Sequence, residues 1–167
     1  FVGAKVAKFD YLCTNEETLN LIYVMMSQQE RAEIIALIKR EVIPAIGCTE
    51  PIAVALCTAR AAEALGCRPE RLEVLLSANI LKNAMGVGIP GTGMIGLPIA
   101  VALGALIGRS EYQLEVLRDV TPEAVAEGRR FIDEKRISIA LKEGIEEKLY
   151  IEVHALGGGH AATAVIA

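Results

Sequence analysis

From Asn83 to Gly108 the chain carries no charged residue, and this constrains its fold more than any other feature. An uncharged segment of that length could cross a bilayer. Gly104 and Gly108 even form a G-x-x-x-G, a spacing found where helices touch closely. The same stretch holds seven glycines and two prolines, however, and these break regular structure through its first half. Only Leu97 to Ile107 reads as helix, which is too short to span. The segment is therefore read as a glycine-rich loop followed by a short buried helix, with no membrane partner. The rest of the chain must supply the core that buries it.

A chain of 167 residues with 53% apolar and 23% charged residues can build such a core as one domain. Its net charge of -4, its lack of a Lys/Arg block and its 4% aromatic content argue against a nucleic-acid partner. The four cysteines, Cys13, Cys48, Cys57 and Cys67, contain no C-x-x-C pair. They suit neither a disulfide framework nor a closed zinc site, so a reducing, cytoplasmic setting is expected. Residues 1–25 lack a charged segment followed by an apolar one, so they are not expected to be a secretory signal. They are read as an upstream extension or expression-derived leader, and 26–167 as a single α+β domain.

Ser27-Gln28-Gln29-Glu30 is a capping box. It opens a helix to about Ile43, with Ile34, Ile35, Ile38 and Val42 as its buried stripe. Thr49 is the expected N-cap of a second, largely buried helix ending at Gly66, with Pro51 in the first turn. Arg71 to Asn79 alternates as a strand, Leu72, Val74, Leu76 and Ala78 sharing one face. Glu111 to Val120 fits either strand or helix. Thr121-Pro122-Glu123 starts another helix. Three alternating runs near Ile137, Leu149 and Ala161 predict an antiparallel meander that the first strand joins. The expected architecture is an antiparallel sheet of about four strands with helices packed on one face.

Two segments stand out chemically. Cys48, in Gly47-Cys48-Thr49-Glu50-Pro51, lies at the mouth of the second helix. There, unpaired N–H groups and the helix dipole favour a thiolate, which can act as base, nucleophile or ligand. A buried structural cysteine in a tight turn is the competing reading. Glu50 complements the same dipole or meets a substrate. The loop Gly86–Gly96 could converge its N–H groups on a carboxylate or phosphate, with Thr92 adding a hydroxyl. It could equally be a turn packed on another subunit. Lys82 and Asn83 stand at its entrance, where the lysine pairs with an anion or snorkels to solvent. Gly91 to Gly96 matches G-x-G-x-x-G, but the strand ends about eleven residues too early for a dinucleotide fingerprint. His160, after three glycines, is better placed to reach a pocket than the solvent-facing His154.

The segments E-V-I-P-A-I-G-C-T-E-P-I at 41–52 and S-A-N-I-L-K-N-A-M-G-V-G-I-P-G-T-G-M-I-G-L-P-I-A at 77–100 carry a resemblance. With L-E-V-L-R-D-V-T at 114–121 and G-G-G-H at 157–160, the chain from 26 to 167 resembles the N-terminal part of the iron–sulfur-dependent L-cysteine desulfidase family, related to the serine dehydratase alpha chain. The resemblance implies β-elimination of L-cysteine or L-serine to pyruvate and ammonia, with release of sulfide or water. It implies a 4Fe-4S cluster in place of pyridoxal phosphate.

Carried over residue by residue, it makes Cys48, Lys82 and His160 catalytic candidates and Cys48 the one metal-ligand candidate. Glu50, lying beside Cys48, joins Asn79, Asn83, Gly91, Thr92 and Gly93 as substrate-binding candidates. Family members are longer, and their other cluster cysteines lie in the C-terminal part. One cysteine cannot hold a cubane, so this chain is expected to be inactive alone and to need that C-terminal part as partner, with a homo-oligomer open. The alternative function is a non-catalytic binding or assembly domain with an anion-binding glycine loop, then a nucleotide-binding domain.

Overall fold

A computed structural model describes residues 26–42 and 44–167. The leader expected over 1–25, with Cys13, lies outside the described residues. The chain divides into two compact units, 1–43 and 44–167.

In the first unit the described residues form helix α1, Gln28–Glu41. The capping box is present: Ser27 N–H donates to Glu30 Oε2 at 2.8 Å, and Glu30 N–H donates to Ser27 Oγ at 3.2 Å. The expected buried stripe is not. No residue of α1 is buried, and Ile34, Ile35, Ile38 and Val42 are all exposed. Helical periodicity identifies an apolar face without saying what covers it.

The second unit opens with α2 (Thr49–Leu65), whose end is the left-handed Gly66. It continues through β1 (Arg71–Leu76), α3 (Ala78–Ala84), β2 (Gly88–Ile89), β3 (Met94–Ile95) and α4 (Leu97–Leu106). A 3-10 segment, Ser110–Glu115, precedes α5 (Pro122–Asp133), and β4 (Ile137–Leu141), β5 (Ile151–Gly157) and β6 (His160–Ile166) follow.

The fold is α+β, with a mostly antiparallel four-stranded sheet in the order β4-β1-β5-β6. The meander is corrected. β4 and β5 do not form a hairpin; β1 lies between them, parallel to β4 and antiparallel to β5. A parallel neighbour requires a long crossover, and the helices between β1 and β4 provide it. Residues 142–150 then carry the chain across the end of β1. They are pinned there by Lys142 N–H to Leu76 O at 2.9 Å and Ser77 N–H to Tyr150 O at 3.0 Å.

Leu72, Val74 and Leu76 of β1 and Ile151, Val153 and Ala155 of β5 pack in one core with Val54, Cys57 and Ala61 of α2 and Val101 of α4. Each large apolar side chain buried there stabilises the fold by roughly 1.5–3 kcal/mol. The uncharged segment is absorbed as expected. Leu97, Ile99, Val101 and Leu103 of α4 are all buried. Gly104 lets α4 touch α2 backbone to backbone, since a Cβ there would lie 2.5 Å from the Ala55 carbonyl oxygen. The G-x-x-x-G therefore serves a contact inside this unit. Among the described residues no helix is long and apolar enough to cross a membrane.

Candidate functional site

The turn before α2 is fixed from two sides. Ile46 N–H donates to the Leu114 carbonyl at 3.1 Å, and Gly47, at φ 87°, packs against the Pro90 ring. These contacts bring the cysteine turn beside the glycine-rich segment. Cys48 is itself the N-cap of α2, with no side-chain capping bond, and is exposed. Thr49, the expected N-cap, is instead the first helical residue, and its hydroxyl donates to Glu50 Oε2 at 3.1 Å. The cap is displaced by one position because the Cys48 backbone already has extended geometry, at φ -68° and ψ 136°.

The strand expected to reach Asn79 stops at Leu76. Ser77 ends it: its hydroxyl accepts the Ile80 N–H at 3.4 Å and starts α3. Asn79, Lys82 and Asn83 thus lie on one exposed helical face at i, i+3 and i+4, with Lys82 and Asn83 in the last turn before the glycine-rich segment. Asn83 Nδ2 donates to Glu50 Oε1 at 3.5 Å, the outer limit of a hydrogen bond. Lys82 is exposed beside it and pairs with no carboxylate among the described residues.

Between α2 and α3 lies a cavity of about 420 Å³. Thr49, Glu50 and Asn79 are its polar wall, and Leu56, Ile80, Leu114, Leu149 and Ile166 are prominent in the apolar remainder. Asn79 also borders a second cavity of about 450 Å³ beneath residues 141–148. The arrangement combines an anionic group, carboxamide donors and an apolar recess, which is the usual composition of a small-molecule site.

Several groups of the glycine-rich segment are engaged within the segment itself. β2 and β3 pair as a hairpin, turning through Gly91 and Gly93 at φ 76° and 63°. Thr92 is buried. Its hydroxyl donates to Ile89 O at 2.7 Å and accepts the Met94 N–H at 2.9 Å. The Thr92 N–H bonds Ile89 O, and the Gly96 N–H bonds Val87 O. The turn thus employs these groups to hold its own shape. The G-x-G-x-x-G spans a hairpin turn and ends at the N-cap of α4, with no strand of the main sheet leading into it.

His160 starts β6, at the opposite end from Ile166, which lines the cavity. At ~3.3 Å per residue this separates them by about 20 Å. His160 is thus not brought together with Glu50 and Asn79.

The cysteines available here do not on their own fit a 4Fe-4S cluster. Cys57 is buried, its thiol lies against the Ile151 and Ala164 carbonyls, and burial pushes it up to about 12, the reverse of what a thiolate ligand needs. It lies in α2 nine residues beyond the Cys48 N-cap, a rise of roughly 13 Å. Cys67 lies beyond the far end of α2. Among the described residues no three His, Cys, Asp or Glu side chains converge as a metal site.

A second polar cluster, on the sheet face opposite the helices, escaped the sequence reading as a unit. Glu152 accepts Lys142 Nζ at 2.6 Å and the Tyr150 hydroxyl at 2.7 Å on Oε2. His154 Nε2 lies 2.8 Å from Oε1, while its Nδ1 lies 2.9 Å from Thr163 Oγ1. The Lys142 and Tyr150 hydrogen bonds hold the Glu152 carboxyl at about 2. Alternation along β5 put Tyr150, Glu152 and His154 on one face, but Lys142 joins only through the fold.

No protein-family model matches the chain. It is 77% identical over 142 residues to a UPF0597 protein of Bacteroides thetaiotaomicron. It is 53% identical over 141 residues to a UPF0597 protein of Porphyromonas gingivalis, and 49% over 141 to one of Oleidesulfovibrio alaskensis. These matches cover 84–85% of this chain and 33% of each relative. The chain thus spans about a third of the length of the curated relatives it matches. They correct the resemblance drawn from the motifs: proteins this similar bear the name UPF0597, not that of the iron–sulfur-dependent L-cysteine desulfidases. The glycine-rich segment on which that resemblance leaned has a local structural use, as a self-bonded hairpin.

Proposed function

We propose that the chain forms the substrate-binding wall of an amino-acid lyase that performs β-elimination on L-cysteine or L-serine. The single observation that carries the reading is the cavity between α2 and α3, where Glu50 and Asn79 face one apolar recess and Asn83 bonds Glu50. In this reading the Glu50 carboxylate meets the substrate ammonium, and Asn79, Asn83 and Lys82 meet its carboxylate. The side chain enters the recess. The exposed Cys48 at the mouth of α2 supplies the base for the α-proton. The Cβ–S or Cβ–O bond breaks with its electron pair leaving as sulfide or hydroxide. The aminoacrylate left behind tautomerises to an imine, and water converts this to pyruvate and ammonia. With Cys48 as the base, a 4Fe-4S cluster in such a protein would draw its ligands from polypeptide outside the described residues; were Cys48 a ligand instead, the base would have to come from there. Free thiols at Cys48, Cys57 and Cys67 support the expected cytoplasmic setting.

Isothermal titration of L-cysteine and L-serine into the chain tests the cavity, with Glu50→Gln as control. Saturable binding that Glu50→Gln weakens roughly tenfold supports it. Binding unaffected by that change removes Glu50 from the site. Anaerobic assay of the Bacteroides thetaiotaomicron relative tests the reaction. Absence of pyruvate, after supply of iron and sulfide, would overturn the lyase reading in favour of a binding or assembly domain.

A further inference from the structure

We infer that the outer edge of β6 is a docking site for an extended strand, supplied by the polypeptide that the longer relatives carry outside the matched third. The inference does not depend on the lyase reading.

Among the described residues, strand β6 is at one end of the sheet and pairs only with β5. The two join through Gly158 and Gly159, both at positive φ (57° and 77°), a two-residue turn of the hairpin-forming kind. In such a hairpin the flanking pair, Gly157 and His160, is the hydrogen-bonded one. Because bonded and non-bonded pairs alternate, the register to Ile151↔Ile166 directs the backbone N–H and C=O of Ala161, Thr163 and Val165 away from β5. All three residues are exposed, and no backbone partner meets them among the described residues.

Natural edge strands are normally blunted by a bulge, a proline, a lysine or short length. β6 has none of these. It is seven residues long, pairs in unbroken register, and reads His-Ala-Ala-Thr-Ala-Val-Ile with no Asp, Glu, Lys, Arg or Pro. The other edge strand, β4, has five residues and is followed directly by Lys142. A row of outward amide groups selects an extended backbone as its partner.

The relatives contain about two-thirds of their length outside the region matched here, which is ample chain to provide that strand. Ile166 at one end of β6 lines the Glu50–Asn79 cavity. A strand added there would carry its own side chains to that cavity's rim.

Hydrogen–deuterium exchange, resolved to single amides, tests this on the 167-residue chain and on the full-length Bacteroides thetaiotaomicron relative. The expected result is rapid, concentration-independent exchange at Ala161, Thr163 and Val165 in the chain. The aligned amides of the relative should exchange at least about tenfold more slowly. Equal exchange in both proteins, fast or slow, would overturn the proposal. Protection in the chain that grows with its concentration would overturn it too, by making the occupant a second copy.

Discussion

Gly47 and Pro90 are in direct contact: a Cβ added at Gly47 would lie 2.8 Å from the Pro90 Cγ. This one approach joins the cysteine turn to the glycine hairpin, 43 positions apart in the sequence. Gly47→Ala would meet both that clash and a φ of 87°. Urea denaturation should show a loss of about 2–3 kcal/mol. In the double variant with Pro90→Ala the combined loss should be less than additive, because the clashing atom is gone. Strict additivity would show that the contact is not what restricts position 47.

Thiol labelling of the native chain should divide the cysteines by place. Cys48 and Cys67 are exposed, whereas Cys57 is buried and held up to about 12. Peptide-resolved mass spectrometry after iodoacetamide at mildly alkaline pH should find Cys48 and Cys67 modified within minutes. Cys57 should become reactive only on unfolding. Prompt labelling of Cys57 would mean that α2 separates readily from the sheet.

Glu152 gives the fold an acid-sensitive component. Its carboxyl is at about 2 in the folded chain, against an ordinary 4.5. A depressed folded value contributes stability above the unfolded value and loses it as pH falls through the folded one. The contribution is therefore complete above about pH 5 and disappears between about 4.5 and 2. It amounts to no more than about 3 kcal/mol, reduced by the solvent reaching Lys142 and His154. Glu152→Gln should flatten the melting temperature against pH across that window. An unchanged acid limb would assign the acid sensitivity to other carboxylates. The same contact raises Lys142, so its alkaline loss belongs to the same interaction and is not a second increment.

Gln113 stands at φ 50° and ψ -124° within the 3-10 segment, a conformation that glycine adopts far more easily. Leu114, the next residue, presents its carbonyl to Ile46 and its side chain to the cavity. Gln113→Gly should raise stability by up to about 1 kcal/mol, relief of strain outweighing the added freedom of the unfolded chain. Calorimetry would show a melting temperature a few degrees higher. A lower one would indicate that the Gln113 side chain contributes more than its backbone costs.

Helices with strong end signals were legible in the sequence. Ser27, Gly66, and Thr121 with Pro122 mark real boundaries, and the uncharged Leu97 helix is buried as composition demanded. The end of β1 was not legible, because Ala78 prolongs the alternation of Leu72, Val74 and Leu76 past the serine that stops it. Strand order was hidden as well. Three alternating runs in sequence say nothing about β1 entering between two of them. For the candidate site, Glu50, Asn79 and Asn83 converge as neighbours, whereas Thr92 turned inward and His160 fell at the far end of its strand. Leu114, Leu149 and Ile166 reach the cavity only through tertiary packing, and no local motif announces them.

The Ser77 side chain has a mechanical consequence. Its oxygen caps α3, which carries Asn79, and its proton goes to the Lys148 carbonyl at 2.8 Å, next to Leu149. One hydroxyl thus works as a clasp between two walls of the cavity. Any displacement of the 142–150 segment would have to break this bond or carry the first turn of α3 with it, so the two walls are coupled through one oxygen.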